Sequence, residues 1–171
     1  SNDAPVYDRK WEKNNNQKKL RKTREIDSLK VLESFKIILS SPNNSNKSWV
    51  WEQYDNTVMA DTIQKPGGDS AVVRIHGQNK AVAVTVDSSA DYCLANPFLG
   101  AKQVVSETWR NLISVGAVPI AITNCLNFGN PEKNKIMGQF VETIEGITEA
   151  CKYLDFPVVS GNVSFYNETQ N

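Results

Sequence analysis

Pro119-Ile120-Ala121-Ile122-Thr123-Asn124-Cys125-Leu126-Asn127-Phe128-Gly129-Asn130-Pro131 is an apolar run that breaks into amides, glycine and proline. Its first five residues read as a short buried strand, and Asn124 to Pro131 as the loop that follows. Ile136, Met137, Phe140, Val141, Ile144, Ile147, Ala150, Cys151 and Leu154 then recur every three to four residues, the spacing of one helix face. Met137 and Cys151 lie on that stripe and read as core filler, not ligands. Pro157-Val158-Val159-Ser160 follows as a second strand running into Gly161-Asn162-Val163-Ser164. Strand, helix, strand places the chain in the α/β (α+β) class, a mixed sheet with covering helices.

Working upstream, Val104, Val105, Thr108, Trp109, Leu112, Ile113 and Val115 predict an amphipathic helix over Gly100–Gly116, with Gly116 as its C-terminal cap. Ala71–Ile75 and Ala81–Val86 are β-branched runs joined by His76-Gly77-Gln78-Asn79-Lys80, the signal of a hairpin. His76, the only histidine, falls at the start of that hairpin loop and reads as a turn-edge residue. Pro66-Gly67-Gly68-Asp69 is a turn, and it is no P-loop because no Gly-Lys-Ser/Thr follows. Trp49-Val50-Trp51-Glu52-Gln53-Tyr54 reads as core or as an interface. Ile26, Leu29, Leu32, Phe35, Ile38 and Leu39 fall at helical spacing, and that helix should stop before Pro42. The order is helix, hairpin, helix, strand, helix, strand, with no internal repeat.

The 171 residues carry 19 basic and 19 acidic side chains and 40% apolar residues, an ordinary globular composition able to bury a core. No window approaches the ~18 consecutive apolar residues of a membrane span, and no signal peptide opens the chain. Cys93, Cys125 and Cys151 stand far apart, which argues against a disulfide framework or a zinc site and for a reducing cytoplasm. One histidine excludes a His pair within this chain. The zero net charge conceals a local excess: Arg9 to Arg24 holds eight basic residues against the single acid Glu12. That stretch is almost without apolar residues and reads, over residues 1–24, as a solvated basic linker ahead of a domain at 25–171. A nucleic-acid-binding arm is the competing reading, but no aromatic beyond Trp11 interleaves the charges and no reader motif follows.

Two strand exits are rich in small and amide residues: Thr123 to Asn130, and Ser160 to Ser164. Ligands of open α/β sheets bind at the carboxyl ends of strands. Glycine there admits a phosphate close to the backbone, and amides offer hard carbonyl oxygens to a cation. Such clusters are also ordinary turns.

Four ordered stretches resemble the phosphoribosylformylglycinamidine synthase family of purine biosynthesis: Trp49 to Asp55, Gly67 to Arg74, Ala121 to Lys133 and Pro157 to Thr169. Ala4-Pro5-Val6-Tyr7-Asp8-Arg9 is similar to the family's preceding linker. The resemblance implies the fold of the N-terminal domain of the AIR synthetase-like ATPases, in the first domain of the second of two tandem copies, so the chain is expected to be a fragment. It implies an ATP-dependent amidation: the amide oxygen of formylglycinamide ribonucleotide is activated by phosphate and displaced by ammonia from a glutaminase partner. ATP and Mg²⁺ are the implied cofactors. The implied partners are the remaining synthetase domains, the glutaminase subunit and the ribonucleotide substrate, in the cytoplasm, with neither nucleic acid nor membrane.

Carried over by residue, the resemblance implies ATP contacts at Asn124 and Gly161, a Mg²⁺ ligand at Asn162 and a substrate contact at Ser164. Asn124 departs from the aspartate usual in the family. Asp69 and Asp87 match acids that hold metal-nucleotide in more distant members. The family's catalytic histidine has no counterpart here, so no catalytic residue is expected and the isolated chain should be inactive. A purely structural domain, paired through its apolar strands, is the alternative. Half of such an assembly should expose an apolar face and self-associate.

Overall fold

Two long helices carry the core in the computed structural model, which describes residues 3–13, 28–54 and 58–169. Helix α4 (Pro97–Ser114) starts where Asn96 Oδ1 accepts the Leu99 N–H at 2.9 Å and Pro97 presets the first turn. It ends in a Schellman motif: the Gly116 N–H bonds Ile113 O at 2.9 Å, and the Ala117 N–H bonds Leu112 O at 3.1 Å. Gly116, at φ 79°, supplies the left-handed residue that this ending requires, as expected of it. Helix α5 (Asn134–Leu154) ends similarly, its Phe156 N–H reaching back to Cys151 O at 3.0 Å, but its left-handed residue is Asp155, φ 49°.

Small residues let α4 and α5 meet closely. A Cβ at Gly146 would strike the Phe98 carbonyl oxygen and come within 3.1 Å of the Ala101 Cβ. Below that contact Val105 and Leu112 of α4 pack with Ala150, Cys151 and Phe156, and Ala83, Ile122 and Ile147 close the cluster. Cys151 is therefore core, as its place on the stripe predicted, and burial pushes its thiol pKa up.

The remaining elements, in chain order, are α1 (Ser28–Ser40), α2 (Ser48–Trp51), β1 (Thr62–Gln64), β2 (Ala71–Ile75), β3 (Lys80–Val84), α3 (Ala90–Ala95), β4 (Ile122–Asn127) and β5 (Val158–Ser164), with 3-10 turns at Pro42–Asn44 and Val58–Ala60. The α/β class stands. Its strands form a three-stranded antiparallel sheet in the order β1-β2-β3 and a separate parallel pair, β4-β5. The β2–β3 hairpin is the expected one, in register Ala71↔Val84 through Ile75↔Lys80. His76 sits at its turn beside Asp61, Nε2 to Oδ1 2.5 Å, in a structural pairing that Arg74 shares. Helix α1 stops at Ser40, ahead of Pro42 as expected, while Ile26 of its stripe lies outside the described residues.

Of the two readings of the segment from Trp49 to Tyr54, core or interface, the exposure of Trp49 (66%) and Tyr54 (73%) excludes core for those two rings and leaves the interface. The α2 helix is a single turn with no buried residue. Of the basic linker expected over residues 1–24, residues 3–13 are described; all but the half-buried Arg9 are exposed, and contacts tie the segment to the domain. Arg9 pairs with Glu132 at 3.3 Å, and the Glu12 N–H bonds Asn134 O at 3.2 Å. Gly138 makes this approach possible, since a Cβ there would run into the Glu12 carbonyl.

The core is small, so each large member counts. Phe156→Ala should lower unfolding free energy by about 3–5 kcal/mol, whereas Trp49→Ala should stay within about 0.5 kcal/mol, both read by chemical denaturation.

Candidate functional site

Helix α5 returns the chain so that β4 and β5 run parallel, pairing Thr123↔Ser160, Asn124↔Gly161, Cys125↔Asn162, Leu126↔Val163 and Asn127↔Ser164. Asn124 to Asn127 and Gly161 to Ser164 are thus strand, not the loops expected of them: the ladder runs on through the amides. Strand side chains alternate between faces. In β4, Ile122, Asn124 and Leu126 are half-buried on the helix side, and Thr123, Cys125 and Asn127 are exposed on the other. Register partners share a face, so Gly161 lies with Asn124, and Asn162 and Ser164 lie with Cys125 and Asn127. The four residues proposed for ligand contact therefore form two pairs on opposite faces of one strand pair.

On the helix side the pair is interlocked. A Cβ built on Gly161 would fall on Asn124 Oδ1, with Asn124 Cγ at 2.7 Å and its carbonyl oxygen at 3.1 Å. Gly161 is glycine because the Asn124 amide occupies the space over its Cα. Asn124 also walls a cavity of about 680 Å³ bounded by the segment from Ala83 to Ser88, by α4 and by β4. Asp87 lines the same cavity and has Oδ2 buried with no hydrogen-bond partner, a state that costs free energy in a dry site. Asp69 is differently placed: its carboxylate accepts Ser114 Oγ at 3.5 Å, and its carbonyl accepts Thr85 Oγ1 at 2.7 Å. Thr85 is itself a wall residue of the cavity, so Asp69 meets that wall through its backbone while its side chain does not line it.

On the outer face Asn162 Nδ2 donates to Ser164 Oγ at 3.1 Å. Thr123, Cys125, Asn127 and Ser160 complete a face of hydroxyls, amides and one thiol, without a carboxylate. Among the described residues no group of three or more His, Cys, Asp or Glu could hold a metal. Mg²⁺ takes carboxylates, phosphates and waters in octahedral array. Asn162 would fit as one neutral oxygen ligand of an ion whose charge is met by phosphates, and this face supplies no carboxylate.

Both strands leave at their carboxyl ends into loops that grip each other. The Phe128 N–H bonds Ser164 O at 2.9 Å, and the Asn167 N–H bonds Phe128 O at 3.1 Å. Phe140 of α5 meets Phe128 and Phe165 edge-on at 5.4 and 5.2 Å, buttressing both exits. Glu168 ion-pairs with Lys133 at 2.6 Å and accepts the Asn130 N–H at 2.8 Å; these two partners hold its carboxyl pKa below the usual value. Neither this aromatic trio nor the role of Glu168 is visible in the sequence, because partners a dozen to nearly forty residues apart share no periodic signal.

If Asn124 fills the Gly161 site, the two positions are coupled. Gly161→Ala alone should cost about 1–3 kcal/mol, and most of that penalty should vanish in an Asn124→Ala background. A double-mutant cycle by chemical denaturation reads the coupling; additive changes would show that the two do not touch.

Among the described residues no helix is long and apolar enough to cross a membrane. The phosphoribosylformylglycinamidine synthase subunit PurL of Pelagibacter ubique (strain HTCC1062) is 62% identical over 169 residues, covering 98% of this chain and 23% of that protein. The chain thus spans about a quarter of the length of such relatives. The structure of PurLQS from Thermotoga maritima superposes with a TM-score of 0.69 at 37% identity, over 74% of this chain and 21% of that one. T. maritima PurL complexed with ATP superposes at 0.65 and with FGAR at 0.64, both at 37% identity and over 74% of this chain, covering 21% and 20% of those chains. The family model of the AIR synthase related protein N-terminal domain matches residues 67–171, and the chain belongs to that family.

Proposed function

We propose that this domain is a working part of an ATP-dependent amidoligase that converts formylglycinamide ribonucleotide into formylglycinamidine ribonucleotide. ATP phosphorylates the glycinamide carbonyl oxygen, ammonia adds to that activated carbon, and phosphate leaves, with the formyl group untouched. The ammonia comes from a glutaminase subunit, the other synthetase domains complete the site, and the assembly works in the cytoplasm. One observation carries this reading: near-complete coverage of the chain at 62% identity by a relative named for this synthase. The ATP and FGAR complexes of the T. maritima PurL structures support the same ligands here.

Within that reading Asn124 and Gly161 serve ATP, Asn162 is a Mg²⁺ ligand and Ser164 meets the substrate. The edge position of β5 reconciles the two faces. Among the described residues β5 pairs with β4 alone, so the backbone groups of its other edge point away from the ladder. A polyphosphate lying along that edge reaches the backbone at Gly161 and the outer amide of Asn162 together. Bound Mg²⁺ would offset phosphate charge; Asn162 would orient it through an amide oxygen, and Ser164 would hydrogen-bond a substrate hydroxyl or phosphate. Asp87 is a candidate for a structural metal-nucleotide in the cavity, which Asp69 does not line.

A structural role through pairing of apolar strands is the second reading, and exposed Val73, Val82 and Val84 on the β2–β3 hairpin favour it. Amidation by the full-length synthetase, with glutamine and with free ammonia, separates the two. Asn162→Ala and Ser164→Ala should each cut turnover at least tenfold without moving the melting temperature; unchanged turnover in both leaves only the structural role. Asn124→Asp restores a charged acceptor, and hydrogen bonds to charged groups exceed neutral ones by about 1 kcal/mol. Nucleotide affinity should rise by up to about tenfold, less at high salt, as titration at two ionic strengths will show. The 171-residue chain alone should show no amidation above a Mg²⁺-free control.

A further inference from the structure

Glu168 lies outside every role assigned so far, yet it makes three contacts that join the exits of β4 and β5. Its Oε1 accepts the Asn130 N–H at 2.8 Å, and its Oε2 meets Lys133 Nζ at 2.6 Å. The third contact is steric: a Cβ on Gly129 would sit 2.5 Å from Oε1, 3.0 Å from Cγ and 3.1 Å from Cδ of Glu168. Gly129 is the gap into which the carboxylate fits. The chain is turned to place it there. Tyr166 takes a left-handed φ of 63°, unusual for a ring-bearing residue, while its N–H bonds Gly129 O at 3.1 Å and the Glu168 N–H bonds Tyr166 O at 3.0 Å.

The loops clasped in this way also hold the end of β5. The Ser164 carbonyl accepts the Phe128 N–H at 2.9 Å and Asn167 Nδ2 at 3.1 Å. One hydrogen-bonded circuit therefore runs from Glu168 through Asn130 and Gly129 to Phe128 and Ser164. A two-point carboxylate fixes geometry better than either bond alone, because the second contact forms at little further entropic cost. We propose that Glu168 is a positioning residue: it locks the Phe128–Lys133 loop against the β5 exit and thereby sets the placement of Ser164 toward the substrate. The functional half of this inference rests on Ser164 as a substrate contact; the clasp itself does not.

The test uses the full-length synthetase with Glu168→Ala, Glu168→Gln, Gly129→Ala, the double variant Gly129→Ala/Glu168→Ala, and Ser164→Ala. In denaturation, Gly129→Ala should be costly alone and nearly free once Glu168 is truncated; an equal cost in both backgrounds overturns the clasp. In kinetics, a misplaced contact costs up to about a hundredfold in kcat/KM. Glu168→Ala and Gly129→Ala should show a loss of that order carried in KM for formylglycinamide ribonucleotide, with KM for ATP little changed. Glu168→Gln keeps the acceptor for the Asn130 N–H and should recover part of it. An unaltered KM in both Glu168→Ala and Gly129→Ala, with lowered stability, overturns the positioning role. If those two shift KM while Ser164→Ala does not, the clasp stands and the assignment of Ser164 falls.

Discussion

A parallel pair of strands cannot be closed by a tight turn, and this requirement organises the molecule. The chain must leave β4, cross the sheet on an element of at least a dozen residues and re-enter alongside. Helix α5, 21 residues long, does this, and the position at which it delivers the chain fixes the register of β5 on β4. The crossing in turn depends on Gly146 and Ala101, which let α5 lie close on α4. A shift of one residue would move each β5 side chain to the other face. Asn124 would then face a side chain in place of Gly161, and Asn162 would turn from the outer face toward the helices.

That register explains how one short pair of strands presents two chemistries. Alternation assigns odd and even positions to different solvents. The helix side offers a half-buried amide beside a cavity, and the outer side offers hydroxyls and amides to water. Among the described residues neither side holds the carboxylate cluster of a self-sufficient metal centre. Val73, Val82 and Val84 on the hairpin and Leu32, Phe35 and Ile38 on α1 are exposed to water in this chain.

Much of the fold was legible because its signals are local. The α4 and α5 stripes repeat every three to four residues, Gly116 marks a helix end and His76 to Lys80 marks a hairpin turn. The boundary of β4 was not legible in the same way. Polar Asn124 and Asn127 suggested a loop, yet Ile122, Asn124 and Leu126 against Thr123, Cys125 and Asn127 already had the period of a half-buried strand. Composition outweighed period there. The division of the site between faces follows from register, a long-range property that no window contains. Glu168 is further still from sequence reading, since its partners lie 38 and 35 residues upstream. The ring-rich segment at Trp49 could be read only as core or interface, because its composition fits both and burial alone, a long-range property, decides between them.

The docked N-terminal segment has a mechanical consequence. Glu12 touches α5 backbone to backbone over Gly138, and Arg9 holds Glu132, the neighbour of Lys133. Lys133 is itself tied to Glu168 at the β5 exit. Residues 9–12 are thereby joined, through an ion pair and a backbone bond, to the first turn of α5 and to the loop before it. A displacement of Arg9 or Glu12 would reach the strand exits through Glu132, Lys133 and Glu168.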